Sequence, residues 1–357
     1  MEPVHYPTAP YRSRGRFYHS ADDPYKWVLL PSIFMYCTGW YERRSGYGEL
    51  SSWHNSGLET TTSASSVEVP FAAALPKITW LGHATFLLVF PDCTILVDPV
   101  FNDLTLLFKR LHKSEIALEA LPPIDVVLIS HNHRDHMEQA TLQYLARHHR
   151  CTFYVPIGDG RWLASWGIEN FVECTWWDQH KIVRASQPTS ATVTFLPARH
   201  WSQRALFDYN KSLWGSWMIT HQGRNYYIAG DTAAGDHFRA IGEAFANIDV
   251  ALMPIGPCEP NYWMRGSHIN AEEAGRAFLT LQAKLFIPMH WGTYGFGTEH
   301  PLAPLRRLES WWQDAGDHLA LDQQLCTLRM GQSLTAVAET QSIASRKDHE
   351  KFPEQVA

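Results

Sequence analysis

The 357-residue sequence predicts an α/β layer protein, on three observations. Short apolar runs rich in β-branched residues alternate with helix-patterned segments through most of the chain. Several of those runs end in a histidine or an aspartate. Hydrophobic residues make up 45% and charged residues 18%, the balance of a globular protein with a substantial core.

Regular structure is expected first at Lys77–Phe90, KITWLGHATFLLVF, whose β-branched and aromatic content suits a strand. Pro91-Asp92 supplies a turn, and Thr94–Val97 completes a hairpin that runs into Asp98-Pro99. Asp125–Ser130, DVVLIS, reads as a strand buried on both faces. A helix is expected over Met137–His148, with Met137, Leu142 and Leu145 on one face. Further strands are expected at Thr152–Pro156, Ala191–Leu196, Ser216–Thr220, Asn225–Ala229, Val250–Pro254 and Leu285–Pro288. Helices are expected at Ala233–Ala244, Ala271–Leu281 and Leu302–Trp312. Residues 1–70 read as an extension packing on the core, ending in the connector Thr60–Ser66; residues 71–331 form the main domain, and 332–357 a polar tail.

A net charge of -6 offers no basic excess to neutralise phosphates, so nucleic acid is not an expected partner. The six cysteines are scattered without a CxxC pair, which reads as reduced thiols in a cytoplasmic protein. The N-terminus has no apolar signal-peptide core, and no apolar stretch is long enough to span a bilayer. The nearest, Trp27–Cys37, is short and interrupted by Pro31 and reads as buried. Trp176, Trp177, Trp214, Trp217 and Trp263 suit core packing first and an acyl-chain groove second.

The chemistry concentrates in His131-Asn132-His133-Arg134-Asp135-His136, four potential metal ligands in six residues directly after a buried strand. Imidazole suits zinc, iron or manganese, and a carboxylate balances a divalent charge. A loop at a strand end can turn all four side chains inward, whereas a helix at this spacing cannot. His200 closes VTFLPARH, Asp231 closes YYIAGD and His290 closes LFIPMH. Each repeats one arrangement, an apolar strand with a ligand at its rim. Asp231, with two oxygens to share, is the natural bridging group, and Gly230 before it permits close backbone approach.

This pattern resembles the metallo-β-lactamase superfamily, whose HxHxDH motif and later His, Asp and His follow in the same order over roughly Lys77–Pro301. Within it the chain is most similar to the N-acyl-phosphatidylethanolamine-hydrolysing phospholipase D family and its bacterial relatives. WLGHAT (80–85), VDPVF (97–101), PARHW (197–201), LWGSW (213–217), GDT (230–232) and PMHWG (288–292) carry that likeness; Gly15-Arg16-Phe17 carries it loosely nearer the N-terminus. The resemblance implies a four-layer αββα sandwich and two divalent cations, zinc first, with iron or manganese as alternatives. It implies His131, His133 and His200 at one cation, Asp135, His136 and His290 at the other, and Asp231 between them.

It also places His268 at the position of a further active-site histidine, to hydrogen-bond the phosphate or protonate the leaving oxygen, with a local role at a helix start as the alternative. Asp98 and His83 are expected to orient ligands by hydrogen bonding; turn capping and core polarity are the bland alternatives. Arg134 cannot ligate a metal and is expected to attract an anionic substrate or to sit in a surface ion pair. The implied reaction releases N-acylethanolamine and phosphatidic acid. A same-fold hydrolase of a soluble lactone or cyclic phosphodiester, or a catalytically silent metal-binding protein, fits the same ligands. Peripheral membrane contact and a homodimer are both compatible with the sequence.

Overall fold

In the computed structural model, which describes residues 9–18, 40–55, 66–69, 75–105, 108–184 and 187–336, the first element is a small hairpin. Its strands β1 (Tyr11–Ser13) and β2 (Arg16–Tyr18) are joined by Arg14 and Gly15, both in the left-handed region. Helix α1 (Trp40–Asn55) and strand β3 (Ser66–Val69) complete the described part of the extension. Residues 60–65 of the connector and the segment 27–37 lie outside the described residues.

The expected strand Lys77–Phe90 is two strands, β4 (Lys77–Gly82) and β5 (Thr85–Val89), paired antiparallel about a turn at His83. The apolar run is continuous in sequence, but Gly82 at φ 108° and His83 at φ 53° reverse the chain inside it. β6 (Thr94–Val97) pairs with β5 as expected, and β7 (Val126–Leu128), α2 (Gln139–His148) and β8 (Thr152–Pro156) follow. Helix α3 (Gly160–Ser165) and strands β9 (Phe171–Cys174) and β10 (Gln179–Arg184) were not foreseen. β11 (Gln187–Leu196) is longer than expected because it pairs along β10, with β12 (Ser216–His221) on its other side. β13 (Arg224–Ile228), α4 (His237–Ala244), β14 (Ile248–Pro254), the single turn α5 (Asn261–Met264), α6 (Ala271–Leu281), β15 (Leu285–Met289) and α7 (Ala303–Ala315) bring the chain to two closing strands. These are β16 (Gln324–Leu325) and β17 (Ser333–Ala336).

The strands form an eight-stranded sheet, β3-β17-β4-β5-β6-β7-β8-β9, and a seven-stranded sheet, β10-β11-β12-β13-β14-β15-β16. Side-chain alternation builds the layers. In β5, β6 and β7, Phe86, Leu88, Ile95, Val97, Val126 and Leu128 join the large core shared with the second sheet. The intervening Leu87, Leu96 and Val127 join a smaller core with Leu142 and Leu145 of α2 and Leu163 of α3. Phe238, Ile241, Phe278 and Leu281 bring α4 and α6 against the second sheet. The result is the four-layer αββα sandwich.

β17 lies past the expected domain end at Gly331, and β3 before its expected start. Leu334 of β17 is fully buried, so this sheet draws on both flanks of the chain. Trp176, Trp214 and Trp217 are core residues. Trp217 Nε1 donates to Ile129 O at 3.0 Å, and Gly215 N donates to Ser130 O at 3.0 Å. Those two bonds tie the second sheet to the backbone that leads into the HNHRDH loop.

Candidate metal centre

The loop 131–136 leaves β7 at one rim of the sandwich and closes on itself, with His136 N and Met137 N both donating to His133 O. Arg204 donates to Asn132 O and Met137 O, clamping the loop from outside. Asn132 turns away from the centre and donates to the fully buried Asp159 at 2.9 Å. His131, Asp135 and His136 thereby face inward from one short stretch, and His133 turns Nδ1 toward the same space.

Three overlapping groups of donor atoms result, two nests of four residues and a smaller one of Asp231, His268 and His290. In the first, His131, His133, His200 and Asp231 bring one atom each within 4.8 Å of one another. His133 Nδ1 lies 2.8 Å from His131 Nε2 and 3.2 Å from His200 Nε2. In the second, His83, Asp135, His136 and His290 do the same. Asp231 Oδ2 lies 3.9 Å from His131 Nε2, 3.8 Å from His200 Nε2 and 3.3 Å from His136 Nε2, while its Oδ1 lies 3.1 Å from His290 Nε2. One carboxylate therefore addresses both nests.

The outward nitrogens are fixed by acceptors. His136 Nδ1 donates to Asp98 Oδ2 at 2.8 Å, His200 Nδ1 to Ser267 O at 2.8 Å and His290 Nδ1 to Gly256 O at 2.9 Å. His131 Nδ1 lies 3.0 Å from Ser130 Oγ, which spends its own proton on Asp98 Oδ2 at 2.6 Å and so can only accept. In the neutral tautomer that these bonds select, each ring turns its Nε2 lone pair into the centre. Sequence reasoning missed Ser130; its place between DVVLI and the first ligand was the available signal.

Charge completes the picture. Burial, reinforced by neighbouring imidazoles, holds His131 well below the usual imidazole value; burial does the same for His200 and takes His133 to about 4. For His136, burial opposes protonation but Asp231 and Asp135 outweigh it, raising the ring; Asp231 likewise lifts His290 against burial to about 9. Burial also opposes ionisation of Asp135 and Asp231, but the imidazoles beside them hold both carboxyls well below the usual range. His136 Nε2, His290 Nε2 and Asp231 Oδ1 are nonetheless buried without a hydrogen-bond partner. Converging, unsatisfied imidazole and carboxylate donors of this kind fit a pair of divalent cations.

The other expected residues take varied places. Asp98 is fully buried and accepts from Ser130 N, Ser130 Oγ and His136, so it fixes the His136 ring directly. His83 pairs with Asp135 at 2.9 Å and sits in the second nest itself. His268 Nδ1 lies 3.8 Å from Asp231 Oδ2 and is buried without a hydrogen-bond partner, although the side chain as a whole keeps some exposure, and burial holds the ring down at about 4. It is fixed just before α6, whose start carries a reciprocal cap between Asn270 and Glu273. Arg134 points outward, exposed. Aromatic rings flank both ends: Trp201 meets the His133 ring at 4.2 Å, and Tyr294 and Phe296 meet His83 at 5.1 and 5.7 Å. Those three were not singled out from sequence.

Comparisons with known proteins agree with this fold. A family model described as a beta-lactamase superfamily domain matches residues 93–291. N-acyl-phosphatidylethanolamine-hydrolyzing phospholipase D 1 of Caenorhabditis elegans is 33% identical over 267 residues, covering 71% of this chain and 74% of its own. A mitochondrial enzyme named for the same activity in Saccharomyces cerevisiae is 34% identical over 238 residues, 65% of this chain and 50% of its own. The solved structure of a metallo hydrolase from the archaeon Ignicoccus hospitalis superposes with a TM-score of 0.55 at 24% identity, over 72% of this chain and 97% of the other. The chain belongs to the metallo-β-lactamase superfamily of metal-dependent hydrolases, with N-acyl-phosphatidylethanolamine-hydrolysing phospholipases D among its relatives.

Proposed function

We propose that the chain is a dinuclear metal-dependent phosphodiesterase of phospholipase D type, cleaving N-acyl-phosphatidylethanolamine to phosphatidic acid and N-acylethanolamine. The observation that carries this reading is Asp231 standing between two donor nests, in a chain whose relatives are named for that activity. His131, His133 and His200 would hold one cation, Asp135, His136 and His290 the other, and Asp231 both. Mixed imidazole and carboxylate donors suit zinc first, then iron or manganese.

Two such cations supply Lewis acidity, lowering the pKa of water and offsetting charge on phosphate oxygens. The protein's part is orientation and proton handling. Asp98 holds the His136 ring directly and the His131 ring through Ser130. His268, whose ring burial keeps neutral at pH 7, is placed beside Asp231 to hydrogen-bond the phosphate and to relay to the departing ethanolamide oxygen, as its bond to phosphorus breaks, the proton that the attacking water gives up. Water contributes the oxygen that remains on phosphorus. Trp201 on one side, and Tyr294 and Phe296 on the other, give the centre apolar walls suited to a lipid.

Purified zinc-loaded protein should release a fatty acid ethanolamide, detected by mass spectrometry, from this lipid, and Asp231→Asn should abolish release and lower zinc content below two per chain. Hydrolysis of lactones or cyclic phosphodiesters with the lipid left intact would overturn the assignment.

A further inference from the structure

Two ligands of the first nest come from strands that are not neighbours. His200 follows β11 and Asp231 follows β13, and β12 lies between those strands in the sheet. Neighbouring strands stand about 4.8 Å apart, so the ends of β11 and β13 are spaced by roughly 10 Å. His200 Nε2 and Asp231 Oδ2 nonetheless approach to 3.8 Å. The sheet alone does not set that distance. The loops after the two strands lean together over the start of β12, where Leu196 pairs with Ser216 and Ile228 with Trp217.

Three hydrogen bonds draw the loops together, and all involve Arg199, the residue before His200. Arg199 N donates to Thr232 Oγ1 at 2.9 Å, and Ala233 N returns a bond to Arg199 O at 2.8 Å. The Arg199 guanidinium donates to Ala234 O at 3.2 Å. Thr232 directly follows Asp231 and is fully buried. A threonine hydroxyl has one proton and two lone pairs. Here the proton goes to Ala233 O at 2.9 Å, Arg199 N takes a lone pair, and His237 Nε2, at the start of α4, stands 3.1 Å from the same oxygen. The other side of the His200 loop is pinned to the start of β12, with Pro197 O accepting from Ser216 Oγ at 3.1 Å and Ala198 O from Trp214 Nε1 at 3.0 Å. PARHW and GDT each contain one expected ligand, and Arg199 and Thr232 are what joins the two stretches.

We infer that Thr232 is a positioning residue of the metal centre, its hydroxyl stapling the residue before His200 to the residue after Asp231 and so holding those two donors at the spacing one cation requires. Donors about 2.1 Å from a tetrahedral cation stand roughly 3.4 Å from one another. The 3.8 Å between His200 and Asp231 is close to that, and nothing in the strand spacing supplies it. Thr232 acts through its two neighbours and has no ligand role of its own. The inference rests on the two-cation reading of the centre and is independent of which phosphodiester is cleaved.

The test is zinc titration of the full-length protein against a competing chelator, with urea unfolding of the metal-free protein alongside. Thr232→Val keeps the shape of the side chain and removes the hydroxyl, and one of the two zinc ions should then bind about 10- to 100-fold more weakly. Thr232→Ala removes the same hydroxyl with less bulk and should weaken the same ion, so the reading survives if Thr232→Val hinders folding. Thr232→Ser retains the hydroxyl and should bind both ions as the wild type does. Two ions held at wild-type affinity without the hydroxyl, with only the urea midpoint lowered, would overturn the positioning role. Thr232→Ser as weak as Thr232→Val would overturn it too, because the methyl group and not the hydroxyl would then matter. Fewer than two zinc ions on saturated wild type would overturn the two-cation centre itself and the inference with it, an outcome read before any variant is compared.

Discussion

Replacing Asp98 by asparagine changes one atom and should cripple metal binding. Asp98 Oδ1 accepts from Ser130 N at 2.7 Å, and Oδ2 accepts from both Ser130 Oγ at 2.6 Å and His136 Nδ1 at 2.8 Å. An amide keeping its oxygen on Ser130 N turns its NH2 toward the hydroxyl and the imidazole. His136 Nδ1 must then accept, which moves the ring proton to Nε2 and removes the lone pair facing the centre. A hydrogen bond to a charged group is worth about 1.5–3 kcal/mol, and ~1.4 kcal/mol is a factor of ten in affinity. The cation beside His136 should therefore bind roughly 10- to 100-fold more weakly, the usual penalty for losing a partner that orients a ligand. Asparagine also tolerates the left-handed φ of 40° at this position, so backbone strain is not the variable. Zinc titration against a competing chelator measures the affinity, and urea unfolding of the metal-free protein measures the structural cost separately. Two zinc ions bound at wild-type affinity, with the damage confined to metal-free stability, would refute the orienting role.

Substituting His268 by glutamine should leave zinc content unchanged and slow cleavage of the ethanolamide-releasing lipid by about 10²–10⁴-fold. Hydrolysis of a p-nitrophenyl phosphodiester, whose leaving group needs no proton, should be nearly spared; equal loss on both substrates would exclude proton donation. A methyl group at Gly230 would stand 2.7 Å from Ser130 Cβ and 3.0 Å from Gly215 O, at φ 60°. Gly230→Ala should therefore cost about 2–4 kcal/mol in urea unfolding, and an unchanged midpoint would contradict that close approach. His54 of α1 is buried, and Met330 N donates to its Nδ1 at 3.3 Å. Burial, with smaller contributions from the charges of His112 and Arg329, lowers its pKa from 6.5 to about 3. A histidine whose folded pKa is depressed stabilises the fold fully above 6.5 and loses that contribution as pH falls toward 3. Amide protection factors in α1 should fall over that window and become flatter with pH in His54→Gln; identical profiles would show that α1 is not anchored through this ring.

The residues carrying the centre were legible because metal binding and strand geometry leave a compact signature. DVVLIS followed by HNHRDH, and apolar runs closed by His200, Asp231 and His290, announce donors at strand ends, and the structure gathers them at one rim. What escaped depends on tertiary pairing. β9 and β10 lack a strong apolar alternation, with Gln179–Arg184 exposed except at His180 and Ile182, and they exist because β8 and β11 offer partners. β17 is too short to stand out against the polar residues after it, yet Leu334 is buried between β3 and β4. Ser130 and Arg204 carry no motif. Their roles follow only from where Asp98, His131 and the loop carbonyls come to lie.

The turn at His83 shows why a correct strand pattern can hide a functional residue. KITWLGHATFLLVF is rich in apolar and β-branched residues with no turn signal as strong as Pro-Asp inside it, so pattern alone reports one strand with a buried histidine. The chain instead reverses there, and His83 lands at the same rim as the ligand loop, its carbonyl accepting from His290 N at 3.1 Å. His83, Asp98 and His290 hold φ values of 53°, 40° and 61°, a region that costs a non-glycine residue of order 1 kcal/mol. All three stand at strand ends and touch the centre directly or through one hydrogen bond. Three of the nine non-glycine residues at positive φ among the described residues thus stand where carboxylates and imidazoles meet, and the two packed cores beneath that edge hold them there. Propensity favours none of these conformations, so the sequence could name the donors while only the assembled sandwich explains how they are aimed.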